Sequence, residues 1–336
     1  MIYKNVELHN FEEVREIPGR QGVLLQRIPE NVRLQLRPGA QEMYKRSGGG
    51  EIRFVSEWEP VKVTLASYGG NSSAALYFGG FQAGEYAIGE DPAIIEIPVP
   101  ELLSKIDTAF CDYCYSPAVR RLILNGHEVH FIDIEGPGIR PPGRDELPKL
   151  RYLAYGTSIT QGSSSTTPSL SYVRQAAWRL DADVLNHGVG GNAFCEKELA
   201  DYLASGLNWD FTTLCLSVNM LNQGVCLDEF SCRASYMVNE IAGKNPGKPV
   251  VCISLFPFFL DMGLKKPQQF PLSTPGEYRE ALKNIVEASK LPNLYFIDGP
   301  ELLQDFQGLS CDLLHPGNMG MIQIGENLAG FIRKLL

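Results

Sequence analysis

The chain has 336 residues, 44% hydrophobic and 21% charged, which at roughly 100–200 residues per domain is enough for two cores. Its 30 Lys and Arg stand against 39 Asp and Glu, a net charge of −9, so it lacks the basic surplus that nucleic-acid backbones and acidic membranes attract. With 33 glycines and 22 prolines an all-helical bundle is excluded, and the longest apolar run, Val250 to Leu260, is interrupted by Pro257 and too short for a membrane span.

The first 20 residues, MIYKNVELHNFEEVREIPGR, place charges where a signal peptide needs an apolar stretch. Several of the 8 cysteines fall inside apolar runs, where a thiol acts as a small hydrophobe. The expected compartment is a reducing cytoplasm. From Glu51 to Ile134 apolar residues alternate with polar ones: Ile52 and Phe54; Val61, Val63 and Leu65; Leu76 and Phe78; Val129 and Phe131. Turn signals at Gly48-Gly49-Gly50, Gly69-Gly70-Asn71, Gly79-Gly80 and Asn125-Gly126 predict a β-sandwich built from hairpins. Glu135 to Lys149, rich in proline, glycine and charge, reads as a linker, dividing an N-terminal domain, residues 1–147, from a second domain, 148–336.

Past the linker the pattern changes to strand and helix in alternation. Strands are predicted at Tyr152 to Tyr155, Val184 to Asn186, Phe211 to Ser217, Val250 to Leu255 and Leu294 to Ile297. Helices are predicted at Tyr172 to Leu180, Glu196 to Leu207, Asp228 to Asn245, Glu277 to Lys290 and Asn318 to Leu335. Such alternation builds a parallel sheet covered on both faces, whose ligands bind at the carboxyl ends of the strands.

Chemistry-bearing residues stand at those ends. Gly156-Thr157-Ser158 sets a serine hydroxyl just past the first strand, where a nucleophile needs exposure, a base and nearby N–H donors. Asn186-His187-Gly188-Val189-Gly190-Gly191-Asn192 follows the second, its missing side chains letting backbone N–H groups approach a substrate. Asn219, after the third, offers a side-chain amide, and Asp312 lies three residues before His315, within reach to orient an imidazole.

This ordered set resembles the SGNH hydrolase superfamily, or GDSL esterases, over about Leu150 to Leu336, with Ser158, Gly191, Asn219 and His315 as the four letters. The runs GTSITQG, NHGVGGN and SVNM are similar to a branch in which GTSITQG replaces the GDS opening, Thr157 and Met220 standing where the wider family has aspartates. The resemblance implies a flavodoxin-like three-layer α/β/α domain and ester hydrolysis through an acyl-enzyme. It implies Ser158 as nucleophile, His315 as base and Asp312 as its orienting acid, with Ser158 N–H, Gly191 N–H and the Asn219 amide as oxyanion hole. The first half resembles the β-sandwich preceding the hydrolase domain of some carbohydrate esterases. The expected activity is removal of a short acyl group, taken as acetyl, from a carbohydrate, without cofactor or metal. The expected partner is a small-molecule or oligosaccharide ester, with nucleic acid and membrane excluded. The alternatives are a lipase or thioesterase of the same superfamily and a catalytically inactive carbohydrate-binding protein.

Rival motifs remain. Gly188 to Ala193 fits the dinucleotide fingerprint G-x-G-x-x-A, but the acidic residue at the expected spacing, Asp210, precedes its strand instead of ending it. Cys111-Asp112-Tyr113-Cys114 is a lone C-x-x-C without a second pair, and His9, His127 and His130 have no patterned ligand set. His187, beside the glycine turn, is read as a packing residue. Phe256 to Thr274 is long for a loop in a compact domain, fitting either a lid over the site or a clamp packed on the sandwich.

Overall fold

A computed structural model of the chain describes residues 1–106, 113–265 and 271–336. They form two compact units: Met1–Arg33 with Tyr44–Lys149, and Leu34–Met43 with Leu150–Leu336. The expected first domain thus gives up ten of its residues, since Leu34–Met43 belongs to the second unit.

The first unit holds two antiparallel sheets. One contains β1 (Ile2–Tyr3), β2 (Val6–His9), β5 (Glu51–Phe54), β7 (Ser72–Phe78), β8 (Phe81–Ile88) and β10 (Arg120–Asn125), in the order β1-β2-β5-β10-β7-β8. The other contains β3 (Glu13–Glu16), β4 (Val23–Gln26), β6 (Val61–Tyr68), β9 (Ala93–Ile97) and β11 (Glu128–Glu135), in the order β3-β4-β11-β6-β9. Helix α1 (Glu30–Arg33) follows β4, and α2 (Pro38–Lys45), next in the chain, lies mostly in the second unit. In β6 the buried Val61, Val63 and Leu65 flank the exposed Lys62, the period-2 signature of a strand with one wet face. They meet Ile52, Phe54, Leu76, Phe78 and Leu122 of the other sheet in one core, the arrangement of a sandwich.

The expectation of a sandwich made from hairpins needs correcting. Gly79-Gly80 does join neighbouring strands, β7 and β8. Gly69-Gly70-Asn71 and Asn125-Gly126 instead carry the chain from one sheet to the other, because β6 and β7, and likewise β10 and β11, belong to different sheets. A turn residue fixes local reversal and not which strand is met next. The predicted linker is also more ordered than its composition implies. Arg140 exchanges backbone hydrogen bonds with Val55 at 2.8 and 2.9 Å, and its guanidinium chelates Glu146 at 2.7 and 2.8 Å. Among the buried polar groups of this unit, Glu51 accepts from Arg53 Nε at 2.7 Å and from Arg121 Nε and Nη2 at 2.8 and 2.7 Å. Its carboxylate sits between two guanidiniums that the β5–β10 register sets opposite each other.

The second unit is built on five parallel strands: β12 (Leu150–Gly156), β13 (Ala182–Gly188), β14 (Phe211–Cys215), β15 (Val250–Ile253) and β16 (Leu294–Ile297). Their spatial order is β13-β12-β14-β15-β16, the 2-1-3-4-5 order of flavodoxin-like folds. The crossovers carry α3 (Ser158–Gln161), α4 (Tyr172–Arg179), α5 (Lys197–Ser205), α6 (Val218–Asn222), α7 (Leu227–Lys244), α8 (Pro275–Ser289), α9 (Gly299–Leu302) and the terminal α10 (Asn318–Ile332). Val173 and Ala176 of α4 and Met321, Ile324 and Leu328 of α10 pack on Tyr152, Ala154, Val251 and Ile253 of the sheet. Helices α5, α7 and α8 pack with one another in chain order. β14 and β15 are continuous buried runs and β12 is buried from Tyr152 onward, as a sheet covered on both faces requires. The strand order reverses at β12, so the loops leaving β12, β13 and β14 diverge around one crevice.

Candidate active site

Ser158 opens α3 directly beyond the carboxyl end of β12. The preceding Thr157 caps that helix, its Oγ1 accepting from Ile159 N–H at 3.3 Å, and the left-handed Gly162 ends it one turn later. So short a helix keeps the serine at the crevice.

The far end of the chain brings Asp312 and His315. Asp312 Oδ1 accepts from Ser310 Oγ at 2.8 Å and from the N–H groups of Leu314 and His315, both at 2.9 Å. This closes a tight turn in which Leu313 takes a left-handed φ of 57°. The other oxygen, Oδ2, accepts from His315 Nδ1 at 2.6 Å. A proton on Nδ1 leaves Nε2 as acceptor, and Ser158 Oγ lies 2.8 Å from Nε2. Burial pushes the Asp312 carboxyl upward, but the hydrogen bonds from His315, Leu314 and Ser310 outweigh it and hold the group well below the usual carboxylate range. The turn is itself anchored, Phe259 N–H donating to the Leu313 carbonyl at 2.8 Å.

The loop after β13 supplies backbone donors. Gly191 has φ 70° and open space where a Cβ would stand, a conformation glycine adopts freely. Its carbonyl accepts from Gln223 Nε2 at 2.7 Å, and the Gly190 carbonyl accepts from Asn192 Nδ2 at 3.0 Å. Asn219 sits on α6, just after Ser217, whose φ of 105° is strained for a residue with a side chain. Its Oδ1 accepts from Ala193 N–H at 3.1 Å.

Ser158, His315 and Asp312 therefore form one hydrogen-bonded series, and the loop of Gly191 is joined through Ala193 to Asn219 of α6. Sequence reasoning missed Asn192 and Gln223, which hold the glycine loop; Asn192 was visible within the GGN run, whereas nothing near Gln223 marks it. Thr157 lines a small void with Ile159, Cys215, Val218, Phe258 and Leu314, and Met220 is fully buried. Both replacements for the family's aspartates are therefore buried.

The rival motifs fare differently. Asp210 is committed to the amino end of the sheet, its Oδ2 accepting from Arg151 N–H at 2.7 Å, which leaves the dinucleotide pattern without its acidic partner. Cys111 lies outside the described residues, and among those described no group of three or more His, Cys, Asp or Glu could hold a metal. Burial pushes the Cys195 and Cys215 thiols up to about 12, which removes them as thiolate nucleophiles. In the long loop Phe258 and Phe259 are buried, and Phe259 supports the His315 turn. The central part of the segment read as a lid, 266–270, lies outside the described residues. A cavity of about 1070 Å³ is an open groove between α7 and α8 lined by Ser235, Asn239 and Glu280 among others. It contains none of the grouped residues and no base beside a nucleophile. No described helix is long and apolar enough to cross a membrane.

Fold and grouped side chains together define an α/β enzyme acting on esters. A match to the GDSL-like lipase/acylhydrolase family covers residues 150–333, and the chain belongs to that family, which places it among ester-hydrolysing enzymes. Among solved structures it is similar to the salicylyl-acyltransferase SsfX3 from a tetracycline biosynthetic pathway, with TM-score 0.76 and 16% identity over 98% of this chain and 95% of that one. A GDSL-like lipase from Bacteroides ovatus ATCC 8483 gives TM-score 0.70 and 18% identity over 98% and 97%. A family two carbohydrate esterase from Clostridium thermocellum, in complex with cellohexaose, gives 0.61 and 15% over 86% and 93%. At these identities the likeness is one of fold, here extending over both units. None of the curated proteins compared matches the chain.

Proposed function

We propose that the protein is a serine esterase that removes short acyl groups, acetyl in particular, from a carbohydrate, with the second unit as its catalytic domain. The observation that carries this is the series from Ser158 Oγ through His315 to Asp312, at 2.8 and 2.6 Å. Ser158 Oγ attacks the ester carbonyl as its proton passes to His315 Nε2, and Asp312 stabilises the imidazolium. The negative oxygen is met by the N–H groups of Ser158 and Gly191 and by Asn219 Nδ2, each such donor being worth about 3–4 kcal/mol in the transition state. Protonated His315 then gives its proton to the departing alcohol, leaving an acyl group on Ser158. Water, deprotonated by His315, attacks that acyl-serine and releases the acid, restoring the hydroxyl. The carbohydrate part rests on the carbohydrate esterases among the neighbours of like fold, and the short acyl part on the want of a long apolar stretch to line a lipid channel.

The test is hydrolysis of p-nitrophenyl acetate, butyrate and octanoate by the native protein and by Ser158→Ala, followed by acetylated oligosaccharides. Rates falling with acyl length, lost in the variant, and a mass adduct on Ser158 from a serine-directed phosphonate are expected. Octanoate turned over faster than acetate would make the protein a lipase or thioesterase. A native protein with neither turnover nor adduct would make it a binding protein.

A further inference from the structure

Ten residues from the first half of the sequence, Leu34–Met43, belong to the second unit, and their contacts there converge on one place. Arg37 N–H donates to Glu196 Oε1 at 2.6 Å, and the Arg37 guanidinium stacks 3.7 Å from the centroid of the Phe194 ring. A Cβ on Gly39 would lie 2.0 Å from Asn192 Oδ1. A Cβ on Gly190 would lie 3.2 Å from the Met43 methyl and 3.5 Å from Ser158 Cβ. Two side chains, a backbone N–H and a glycine of this segment thus grip the loop at residues 190, 192, 194 and 196, close beside the serine.

The consequence runs through one peptide group. Asn192 Nδ2 holds the Gly190 carbonyl at 3.0 Å. In a trans peptide the carbonyl of one residue and the N–H of the next point in opposite directions, so this bond also sets where Gly191 N–H aims. Gly39 is the surface against which the Asn192 amide rests. We propose that Leu34–Met43 is a positioning segment for the esterase site, with Gly39 fixing Asn192 and, through it, the direction of the Gly191 N–H toward the oxyanion. The inference rests on the esterase reading above. Gly39 touches no reacting atom, so it is a positioning residue. Its φ is not left-handed, and an alanine there strains no backbone, displacing only the Asn192 amide.

The experiment is a double-mutant cycle of Gly39→Ala and Asn192→Ala on p-nitrophenyl acetate, with thermal unfolding recorded for each. A misdirected donor lowers kcat by about 10- to 100-fold and leaves KM within about threefold. Since Gly39 acts through Asn192, the double variant should match Asn192→Ala alone within about threefold. If Gly39→Ala fails to fold, Asn192→Ala, which creates no clash, carries the test by the same split of kcat from KM. A Gly39→Ala protein with native kcat, or effects that multiply in the double variant, would overturn the inference. A fall confined to thermal stability would do so as well. The native protein is assayed first: want of turnover and of a Ser158 phosphonate adduct there would sink the esterase reading, whereas an active native protein with an indifferent Gly39→Ala sinks only this inference.

Discussion

Asp312→Asn separates what the carboxylate does for the turn from what it does for the imidazole. Three donors, Ser310 Oγ and the N–H groups of Leu314 and His315, converge on Oδ1, and only His315 Nδ1 meets Oδ2. An asparagine that keeps its oxygen in the Oδ1 position retains all three turn bonds, so the protein should still fold, losing the stability that the charged carboxylate adds at neutral pH. Its amide nitrogen then faces His315 Nδ1 as a donor. Nδ1 must present its lone pair, the proton moves to Nε2, and Nε2 can no longer accept from Ser158. The same tautomer error in a serine protease costs about 10⁴ in kcat; here a loss of about 10³–10⁴ is expected, or some 4–5.5 kcal/mol of barrier. The assay is steady-state hydrolysis of p-nitrophenyl acetate with thermal unfolding alongside. An Asp312→Asn enzyme keeping a tenth or more of native kcat would refute the assigned role. The charge also predicts a pH signature. A carboxyl whose folded pKa is depressed contributes stability that is present above its unfolded value, about 4, and lost as pH falls through the folded one. Asp312→Asn should therefore lose less stability below about pH 4 than the native protein.

Asn219→Ala removes the proposed oxyanion donor and strips Ala193 N–H of its acceptor; kcat should fall about 10²- to 10³-fold with a stability loss of about 1–3 kcal/mol, and unchanged kcat would exclude the amide from the site. Glu51→Gln leaves Arg53 and Arg121 without the carboxylate between them, Glu7 standing 3.7 Å from Arg53. A loss of about 3–5 kcal/mol in urea unfolding is expected, with the activity of the folded fraction intact; a midpoint shift corresponding to under 1 kcal/mol would refute it. Thr157→Asp restores the family's usual residue and still offers a helix cap, but sets a carboxylate among Ile159, Val218, Phe258 and Leu314. It should lower the melting temperature by several degrees, and equal or higher stability would show that the void accommodates the charge.

The parallel sheet was legible because its strands are largely apolar runs and each helix carries its own period. Predicted strands at 294–297 and helices near 172–180 and 277–290 lie within two residues of β16, α4 and α8. Strands β1 to β4 were not visible. Three are four residues long and one is two, and β3, with Glu13 and Glu16 on either side of Val14 and Arg15, has no apolar face to show. Sheet membership in the sandwich was illegible for a related reason: the glycine turns at 69–71 and 125–126 have the chemistry of hairpin turns, and only the long-range pairing of β7 with β10 and of β6 with β11 sends them between sheets.

At the site the same division holds between local and distant causes. Asp312 and His315 are three residues apart, and the turn that aims one at the other is closed by bonds within residues 310–315, so their pairing was written in a short stretch. The cap by Thr157 is equally local. What holds the glycine loop is not: Gln223 reaches Gly191 across 32 residues of chain, and Gly39 meets Asn192 across the whole of the first unit's later sequence. Pro38-Gly39 in the sequence has only the look of a turn, and in the structure it opens a helix. The glycine there is required by the volume of an asparagine far along the chain, a constraint that leaves no periodicity and no spacing. A loop that aims a backbone N–H must be fixed more tightly than its own few glycines can manage, and the support has to come from outside it. Residues that serve a site only by taking up no space are therefore the ones a motif will pass over.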